Sequence, residues 1–197
     1  MYIYLARHGQ TTGDIENLYG GDYDDDLTAV GRSQAQKLAA DLKPAKPEAI
    51  FTSPKRRAQQ TAQIIGQVLG LEVTMLEELR ERNNYGILTG MERTLAKQQY
   101  PDQVALLEDF HNTLQGGEPY DHFRRRVLGA FQQLLKQAVS YQSIAIVSHA
   151  GPISVIFREL LGAESVAVAD CGYAILQFVD QQLSVIETVG IETASGS

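Results

Sequence analysis

The hydrophobic positions of this chain alternate between short apolar runs and longer stretches with helical periodicity. Residues 2–6 (YIYLA) and 143–148 (SIAIVS) are continuous runs rich in β-forming residues, which is typical of buried strands. Between such runs, apolar residues recur every three or four positions, as on one face of an amphipathic helix. Strands that alternate with helices predict an α/β fold, a three-layer α/β/α sandwich with a mostly parallel central sheet.

Local signals set the bounds of the predicted elements. Thr28 is a suitable N-cap, and Pro54 stops the strand before it. Gly70 and Gly162 are natural helix ends. We predict strands over 2–6, 49–53, 72–76, 143–148, 172–179 and 182–188, the last two forming a hairpin that turns near Asp180-Gln181. We predict helices over 28–42, 55–69 and 120–139, and a further helix that follows His149 and runs to about Leu161.

Two segments depart from this pattern. Residues 83–118 contain repeated Asn and Gly residues and a proline between short helical pieces, which indicates a small helical lid inserted over one end of the sheet. Residues 190–197 are expected to form a flexible tail. Residues 1–189 are therefore predicted to be a single domain.

Composition excludes several classes of protein. Hydrophobic residues make up 44% of the chain and charged residues 21%, so a sizeable core is expected. The net charge of -7 argues against binding to nucleic acid or to an anionic membrane surface. Cys171 is the single cysteine, which rules out an intrachain disulfide.

The expected location is the cytoplasm. The N-terminus does not resemble a signal peptide, and no apolar run approaches the ~20 residues that a membrane span needs. We expect neither nucleic acid nor a membrane as a partner. A homodimer is the oligomeric state that we keep open.

Cationic residues follow three of the predicted strands. Arg7-His8 comes after the first, residues 54–57 (PKRR) after the second, and His149 after the strongest one. The carboxyl ends of parallel strands meet at one edge of a sheet, where ligands bind. Three strands thus deliver positive groups to one edge of an acidic protein, and phosphate is the expected ligand.

Phosphoryl transfer needs the side chains found at this edge. Arginines bind the equatorial oxygens with planar, charged forks. A neutral imidazole can attack phosphorus when an acceptor on its other nitrogen fixes the tautomer, and a second, protonated histidine can stabilise the group in transfer. A carboxyl group can protonate the leaving oxygen and later activate water, and Glu81 is the candidate for this role.

The segments that carry these residues resemble motifs of the histidine phosphatase superfamily, in its phosphoglycerate-mutase-like branch. Residues 5–11 (LARHGQT) resemble its R-H-G-[EQ]-T motif, and residues 52–62 (TSPKRRAQQTA) its S-P-x-x-R-A-x-Q-T-A segment. Residues 79–86 (LRERNNYG) are similar to L-x-E-R-x-Y-G, and residues 147–151 (VSHAG) to V-[ST]-H-[GA]-G. Further matches occur at 16–35 and 116–125, so the resemblance spans residues 3 to about 162.

The resemblance implies a role for each matched residue. His8 would be the nucleophile that carries the phosphoryl group, and Glu81 the proton donor and acceptor. Arg7, Arg57 and His149 would bind the phosphoryl oxygens. Further contacts to the phosphate or to the rest of the substrate would come from Asp14 and Asn17 and from the backbone of Gln10, Gly21 and Ala150. No metal ion and no organic cofactor are implied.

Three positions depart from the family pattern. Asp14 stands where many members have Asn, and Gly13 where many have Trp. A carboxylate at position 14 could repel an anionic substrate or accept bonds from a hydroxyl-rich one. The pair Asn83-Asn84 lengthens the E-R-x-Y-G spacing by one residue, so Glu78 stays open as an alternative general acid to Glu81.

Other polar residues are expected to have no part in a site. The acidic loop of Asp22, Asp24, Asp25 and Asp26 lacks the spacing of a calcium-binding loop, so we interpret it as solvated. The same holds for Arg56, an exposed helix residue beside Arg57. His111 and His122 are expected at the surface.

The function predicted from these features is that of a phosphoric monoester hydrolase. It would hydrolyse a small phosphorylated metabolite through a phosphohistidine intermediate, as the resemblance to α-ribazole and broad-specificity phosphatases implies. A cofactor-dependent phosphoglycerate mutase is the alternative, although the segment between Glu81 and His149 is short for one. A noncatalytic phospho-ligand binding protein is less favoured because His8 and Arg57 are both present.

Overall fold

The central sheet places the carboxyl ends of four parallel strands at one edge. A computed structural model describes residues 1–194 of the chain. Its strands are β1 (Tyr2–Arg7), β2 (Ala49–Thr52), β3 (Val73–Met75), β4 (Ser143–Ser148), β5 (Ser165–Val179) and β6 (Gln182–Ala194). Their order in the sheet is β3-β2-β4-β1-β5-β6. The first four of these strands pair in parallel and the last two join in antiparallel, which confirms the predicted mostly parallel sheet.

The helices begin and end at the signals identified in the sequence. The Thr28 side chain accepts the backbone N–H of Gly31, and Gly70 and Gly162 end their helices in the left-handed conformation. The helices are α1 (Thr12–Ile15), α2 (Ala29–Leu42), α3 (Arg56–Leu69), α4 (Arg93–Gln99), α5 (Pro101–Ala105), α6 (Tyr120–Gln137) and α7 (Ala150–Leu161). Short 3₁₀ turns cover Lys43–Ala45, Glu77–Leu79, Gly86–Leu88 and Leu106–Glu108.

Two hydrophobic cores lie on opposite faces of the sheet. Successive side chains of a strand point to opposite faces. Ile144 and Ile146 of β4 accordingly belong to the core that α6 and α7 cover, while Ala145 and Val147 belong to the core under α2 and α3. The three-layer sandwich predicted from the sequence is confirmed.

The segment 83–118 consists of short helices, α4 and α5, and two 3₁₀ turns. It has a small core of its own, in which Leu88, Ala96 and Leu114 pack with Tyr19 from the loop after α1. Because this core is separate from the two sheet cores, the segment can vary without disturbing the sandwich. We refer to residues 83–118 as the lid.

The hairpin of β5 and β6 is longer than its sequence pattern indicates. It turns at Asp180 and Gln181, both with positive φ, as a two-residue turn between twisted strands requires. Residues 190–194 belong to β6, and Ala194 pairs with Ser165, so the prediction of a tail is wrong for them. The pairing of β6 with the start of β5 supplies backbone hydrogen bonds that the local sequence does not reveal. Residues 195–197 of that predicted tail lie outside the described residues.

Among the helices of residues 1–194, none combines the length and the apolar character that crossing a membrane requires.

Candidate active site

Three neighbouring strands bring the candidate residues together. Arg7, the last residue of β1, pairs with Ser148 of β4, and Thr52 of β2 pairs with Val147. His8, Ser53 and His149 are the residues that follow these strands in the chain. Because the strands are parallel and adjacent, the three side chains start from one edge of the sheet.

His8, Arg57 and His149 form one contact cluster. Arg57 Nε lies 3.1 Å from His8 Nε2 and 3.3 Å from His149 Nδ1. The two imidazole rings meet edge to face with centroids 5.0 Å apart. All three side chains are buried. Residues that are 49 and 92 positions apart from Arg57 in the sequence therefore converge on one guanidinium.

The hydrogen bonds assign a tautomer to each histidine. Nδ1 of His8 lies 2.8 Å from the Gly9 carbonyl, which can only accept, so the proton of the neutral ring is on Nδ1. The Nε2 atom then carries the lone pair, directed at Arg57. His149 has the opposite arrangement, since its Nδ1 accepts from Arg57 and its Nε2 donates to the Ser53 hydroxyl at 2.7 Å.

Burial and the neighbouring arginines keep both rings neutral. Desolvation, followed by the charges of Arg57 and Arg7, holds the pKa of His8 well below its usual value. Desolvation and Arg57 do the same to the pKa of His149. His8 is thus unprotonated at neutral pH, with the Nε2 lone pair available. His149 is neutral in this arrangement as well, because Arg57 donates to the nitrogen that would accept the proton.

Arg57 is fixed by a buried carboxylate. Its Nη1 donates to Asp25 Oδ1 at 2.9 Å, and both side chains of this ion pair are 4% exposed. The same nitrogen donates to the Tyr23 carbonyl, and Nη2 donates to the Gly21 carbonyl at 2.8 Å. The prediction of a solvated acidic loop is therefore wrong for Asp25, because its charge is matched by Arg57 inside the protein.

The unusual Gly13 makes room for this ion pair. A Cβ atom at position 13 would lie 2.7 Å from Asp25 Oδ2, closer than a carbon and an oxygen can approach. A tryptophan, which many family members have here, would displace the carboxylate. The absence of a side chain at Gly13 thus leaves space for the Asp25 carboxylate that pairs with Arg57.

The rest of the acidic loop binds the start of α3. Asp22 forms an ion pair with Lys55 at 2.6 Å, and Asp24 accepts the backbone N–H of Arg56 at 2.7 Å. Asp26 pairs with Arg56 at 3.0 Å. Arg56 itself is 54% exposed, in agreement with its interpretation as a surface residue. The loop therefore ties down the helix that carries Arg57.

Arg7 is held from the opposite side of the cluster. Its Nη1 donates to the Val168 carbonyl at 2.7 Å, and its Nη2 pairs with Asp170 at 3.0 Å. The Cys171 backbone N–H donates to the His8 carbonyl, at a bulge of β5 where Cys171 has a φ of 53°. This irregular part of β5 fixes both Arg7 and His8. It was not foreseen, since the sequence of β5 gives no signal for a bulge here.

Glu81 reaches the same cavity from the segment that follows β3. Its Oε2 accepts the backbone N–H of Gly151 at 3.1 Å, and its Oε1 accepts that of Arg82 at 2.8 Å. A Cβ atom on residue 151 would lie 2.1 Å from Glu81 Oε1, so any larger residue there would displace the Glu81 carboxylate from this position. The alternative acid, Glu78, is 50% exposed and pairs with Arg80. The geometry favours Glu81.

The remaining predicted contacts divide into two groups. Asp14, Gly21 and Ala150 line the cavity that holds His8. Asp14 also closes the capping box of α1, where its Oδ2 accepts the backbone N–H of Thr11. Gln10 and Asn17 are not among the lining residues. Gln10 has its backbone N–H bound by the Gln34 side chain, and Asn17 is exposed with its side chain near Glu92.

The cavity has a volume of about 350 Å³. Beyond the predicted site residues, its wall contains aromatic and cationic side chains to which the motifs gave no role in the site. They are Arg82, Tyr85, Arg93, Phe110, Tyr120, Phe123 and Arg158. The sequence gives little indication that these residues line a cavity, because most of them lie in the lid or on one face of a helix. Within residues 1–194, no group of three or more His, Cys, Asp or Glu side chains is arranged to hold a metal ion.

Comparison with known proteins gives this arrangement a family. A model of the histidine phosphatase superfamily (branch 1) matches residues 3–188. The metal-independent phosphoserine phosphatase of Arabidopsis thaliana is 30% identical over 83% of this chain and 70% of its own. A 2,3-bisphosphoglycerate-dependent phosphoglycerate mutase of Cytophaga hutchinsonii is 26% identical over 85% of this chain and 82% of its own.

The solved structures extend the match to the whole fold. The crystal structure of the α-ribazole phosphatase from Shigella flexneri superposes with a TM-score of 0.86 and 26% identity, and covers 100% of this chain and 99% of that one. The resemblance found in the sequence motifs is thereby confirmed. The chain belongs to the histidine phosphatase superfamily, branch 1.

Proposed function

We propose that this protein is a phosphomonoesterase that hydrolyses a small phosphorylated metabolite through a phosphoryl group carried on His8. The families of its relatives support a hydrolase of phosphate monoesters. The cavity of about 350 Å³ is large enough for a small metabolite. His8 and Arg57 line it, and the fully buried His149 contacts Arg57 directly behind this lining.

In the first step, the phosphoryl group takes the place beside His8 Nε2 that Arg57 Nε now holds. Arg57, Arg7 and His149 bind the three equatorial oxygens, and the lone pair of Nε2 attacks phosphorus in line with the ester oxygen. The N–P bond forms and the P–O ester bond breaks. Glu81 supplies the proton that the leaving alkoxide takes.

The Nδ1–H bond of His8 to the Gly9 carbonyl persists through this step. It balances the positive charge that develops on the ring when Nε2 forms its bond to phosphorus. A dianionic phosphoryl group beside His149 also raises the pKa of that ring, which favours its protonation in the complex.

In the second step, water attacks the phosphohistidine on the side that the alcohol has left. Glu81, now ionised, takes a proton from the water, the N–P bond breaks, and inorganic phosphate leaves. His8 returns to its neutral form with Nε2 unprotonated. The two steps return every group to its starting state.

One observation carries the proposal: the lone pair of a buried, neutral His8 points to a site that Arg57 and His149 also face. The test is phosphate release from p-nitrophenyl phosphate, with chelator present, by the wild-type chain and by His8→Gln. Release by the wild type alone supports the proposal. Equal release by both proteins would contradict it.

A phosphoglycerate mutase is the second candidate, because a mutase is among the relatives of comparable coverage. It would use the same residues, and a bisphosphate would rephosphorylate His8. The two functions differ in product. In the presence of 2,3-bisphosphoglycerate, a phosphatase would convert 3-phosphoglycerate to glycerate and inorganic phosphate. A mutase would convert it to 2-phosphoglycerate.

A further inference from the structure

Two buried polar side-chain atoms have no hydrogen-bond partner within residues 1–194. They are Arg7 Nε and Arg158 Nε, and both arginines line the cavity that contains His8. Leaving a buried guanidinium N–H without an acceptor is costly, so each such donor requires an explanation. Arg7 has one in the proposed function, since it would bind phosphoryl oxygens. Arg158 does not.

The acidic groups near Arg158 are already occupied. Its neighbour Glu159 pairs with Arg124 at 2.9 Å on the outside of the protein. Inside the cavity, Asp25 pairs with Arg57, and Glu81 accepts two backbone N–H groups. Asp14, the third carboxylate of the cavity wall, accepts the backbone N–H and the hydroxyl of Thr11, so none of the three forms an ion pair with Arg158 within residues 1–194.

An aromatic ring of the lid fixes the Arg158 guanidinium. Its central carbon lies 4.5 Å from the centroid of Phe110, a cation–π contact that orients the planar group and leaves its N–H edge free to donate. A second cavity arginine near the lid, Arg82, instead donates to the backbone carbonyls of Phe110, Asn112 and Glu118. Arg82 is structural, whereas Arg158 is oriented but unsatisfied.

The position of Arg158 on α7 sets its distance from the reacting phosphorus. Ala150, Ser154 and Arg158 line the cavity at steps of four residues, so they share one helix face. Arg158 lies about 12 Å along the axis from Ala150, and long helical side chains lean back toward the N-terminus. The guanidinium therefore lies in the same cavity, less than about 12 Å along the helix from Ala150, the residue that follows His149 in the chain.

We propose that Arg158 is a specificity-determining residue that binds a second anionic group of the substrate. This inference rests on the proposed function. The substrate is then a phosphomonoester that also carries a carboxylate or a second phosphate. Its phosphoryl group is bound at His8 and its other anion at Arg158, less than about 12 Å away by the helical rise. The planar guanidinium fork can bind two oxygens of a carboxylate or of a phosphate at once.

The test measures binding by calorimetry in a His8→Ala background, so that turnover does not enter. Two matched pairs of esters distinguish a carboxylate from a second phosphate as the anion that Arg158 binds. 3-Phosphoglycerate is compared with glycerol 3-phosphate for the carboxylate, and fructose 1,6-bisphosphate with fructose 6-phosphate for the second phosphate. In at least one pair, the ester with the extra anion should bind at least about tenfold more tightly.

Substitution assigns that preference to Arg158. Arg158→Gln should reduce the preference at least about fivefold, and Arg158→Lys should restore part of it. Arg125→Gln, the same change at an exposed position of α6, should leave the preference as it is. Absence of a preference in both pairs, or a preference that Arg158→Gln leaves intact, would overturn the proposal. Equal weakening of both esters of a pair would show instead that Arg158 only supports the lid.

The two levels of inference fail separately. Absence of phosphate release by the wild-type chain counts against the proposed function, whatever the binding data. Phosphate release by the wild-type chain, together with a binding preference that Arg158→Gln leaves unchanged, counts against the role of Arg158 alone.

Discussion

The inner and outer ends of the cavity are built in different ways. At the inner end, His8, Arg57 and His149 are buried, and their ring and guanidinium nitrogens are bound to one another or to the protein. At the outer end, Arg93 stacks on Tyr19 at 4.4 Å and Arg158 on Phe110 at 4.5 Å. The inner end is fixed for one reaction, while the outer end presents cations and aromatic rings to a variable ligand.

This contrast separates chemistry from substrate choice. Substitutions at the inner end should reduce turnover of every phosphomonoester, because they alter the nucleophile or its neighbours. Substitutions at the outer end should change which ester is preferred.

Replacing the nucleophile should have the largest effect. We expect His8→Ala to lower kcat/KM for p-nitrophenyl phosphate by at least about 10⁴-fold, because no other lone pair in the cluster is aligned with phosphorus. The fold should remain, since His8 sits beyond the end of β1 and not in a core cluster. His122→Ala, a change at an exposed histidine, is the control for the assay. Retained activity in His8→Ala would refute the assignment.

Breaking the buried ion pair should affect both stability and activity. Asp25→Ala leaves the Arg57 charge without its buried partner, which costs about 3–5 kcal/mol of unfolding free energy. Urea denaturation measures this loss, and we expect kcat to fall as well, because Arg57 is no longer held beside His8 and His149. Asp24→Ala, at an exposed position of the same loop, should cost no more than about 1 kcal/mol. Similar losses of unfolding free energy in the two variants would contradict the role of Asp25 in holding Arg57.

Removing the proposed proton donor should slow the reaction selectively. Glu81→Gln should reduce kcat/KM, which reports phosphoryl transfer to His8, by about 10²-fold or more for alkyl phosphates, whose alkoxides need a proton to leave. The reduction should be smaller for p-nitrophenyl phosphate, which releases a stable anion. Glu78→Gln changes the neighbouring exposed carboxylate and should have little effect. Equal slowing for both classes of ester would argue against the role of Glu81.

The neutral histidines predict a pH dependence of stability. Burial and Arg57 lower the pKa of His8 and His149 in the folded protein, so the unfolded chain binds more protons below its own histidine pKa near 6.5. Stability should therefore fall as the pH drops through this value, by about 2 kcal/mol between pH 7.5 and 5.5. The urea concentration at the midpoint of unfolding, determined at each pH, measures this fall in stability. In a His8→Gln/His149→Gln variant the same pH change should have a clearly smaller effect, and an equal effect would contradict the pKa directions.

Much of the inner end could be predicted from the sequence, because it depends on chain topology. Parallel strands that are followed by Arg7-His8 and His149 must deliver these side chains to one edge of the sheet. Helix limits at Thr28, Gly70 and Gly162 also follow from local capping rules. These features need only local sequence and the order of the strands.

The features that were missed depend on contacts between distant segments. Asp25 lies in a run of acidic residues that is typical of a solvated loop, and only the position of Arg57 gives it a buried partner. The pairing of residues 190–194 with the start of β5 is equally nonlocal. Arg158 follows the helical period of an ordinary amphipathic helix. Nothing in its spacing reveals that its guanidinium faces a cavity.

The central claim is that His8 carries the phosphoryl group, and trapping the intermediate tests it most directly. The Glu81→Gln variant, which should slow hydrolysis of the phosphoenzyme, is mixed with a phosphomonoester and quenched under alkaline conditions that preserve phosphohistidine. Peptide mass spectrometry then locates the added phosphoryl group. The account predicts that it is found on His8, in the peptide that contains residues 1–7 as well. A phosphoryl group on His149 or on another residue, or turnover without any phosphorylated histidine, would contradict it.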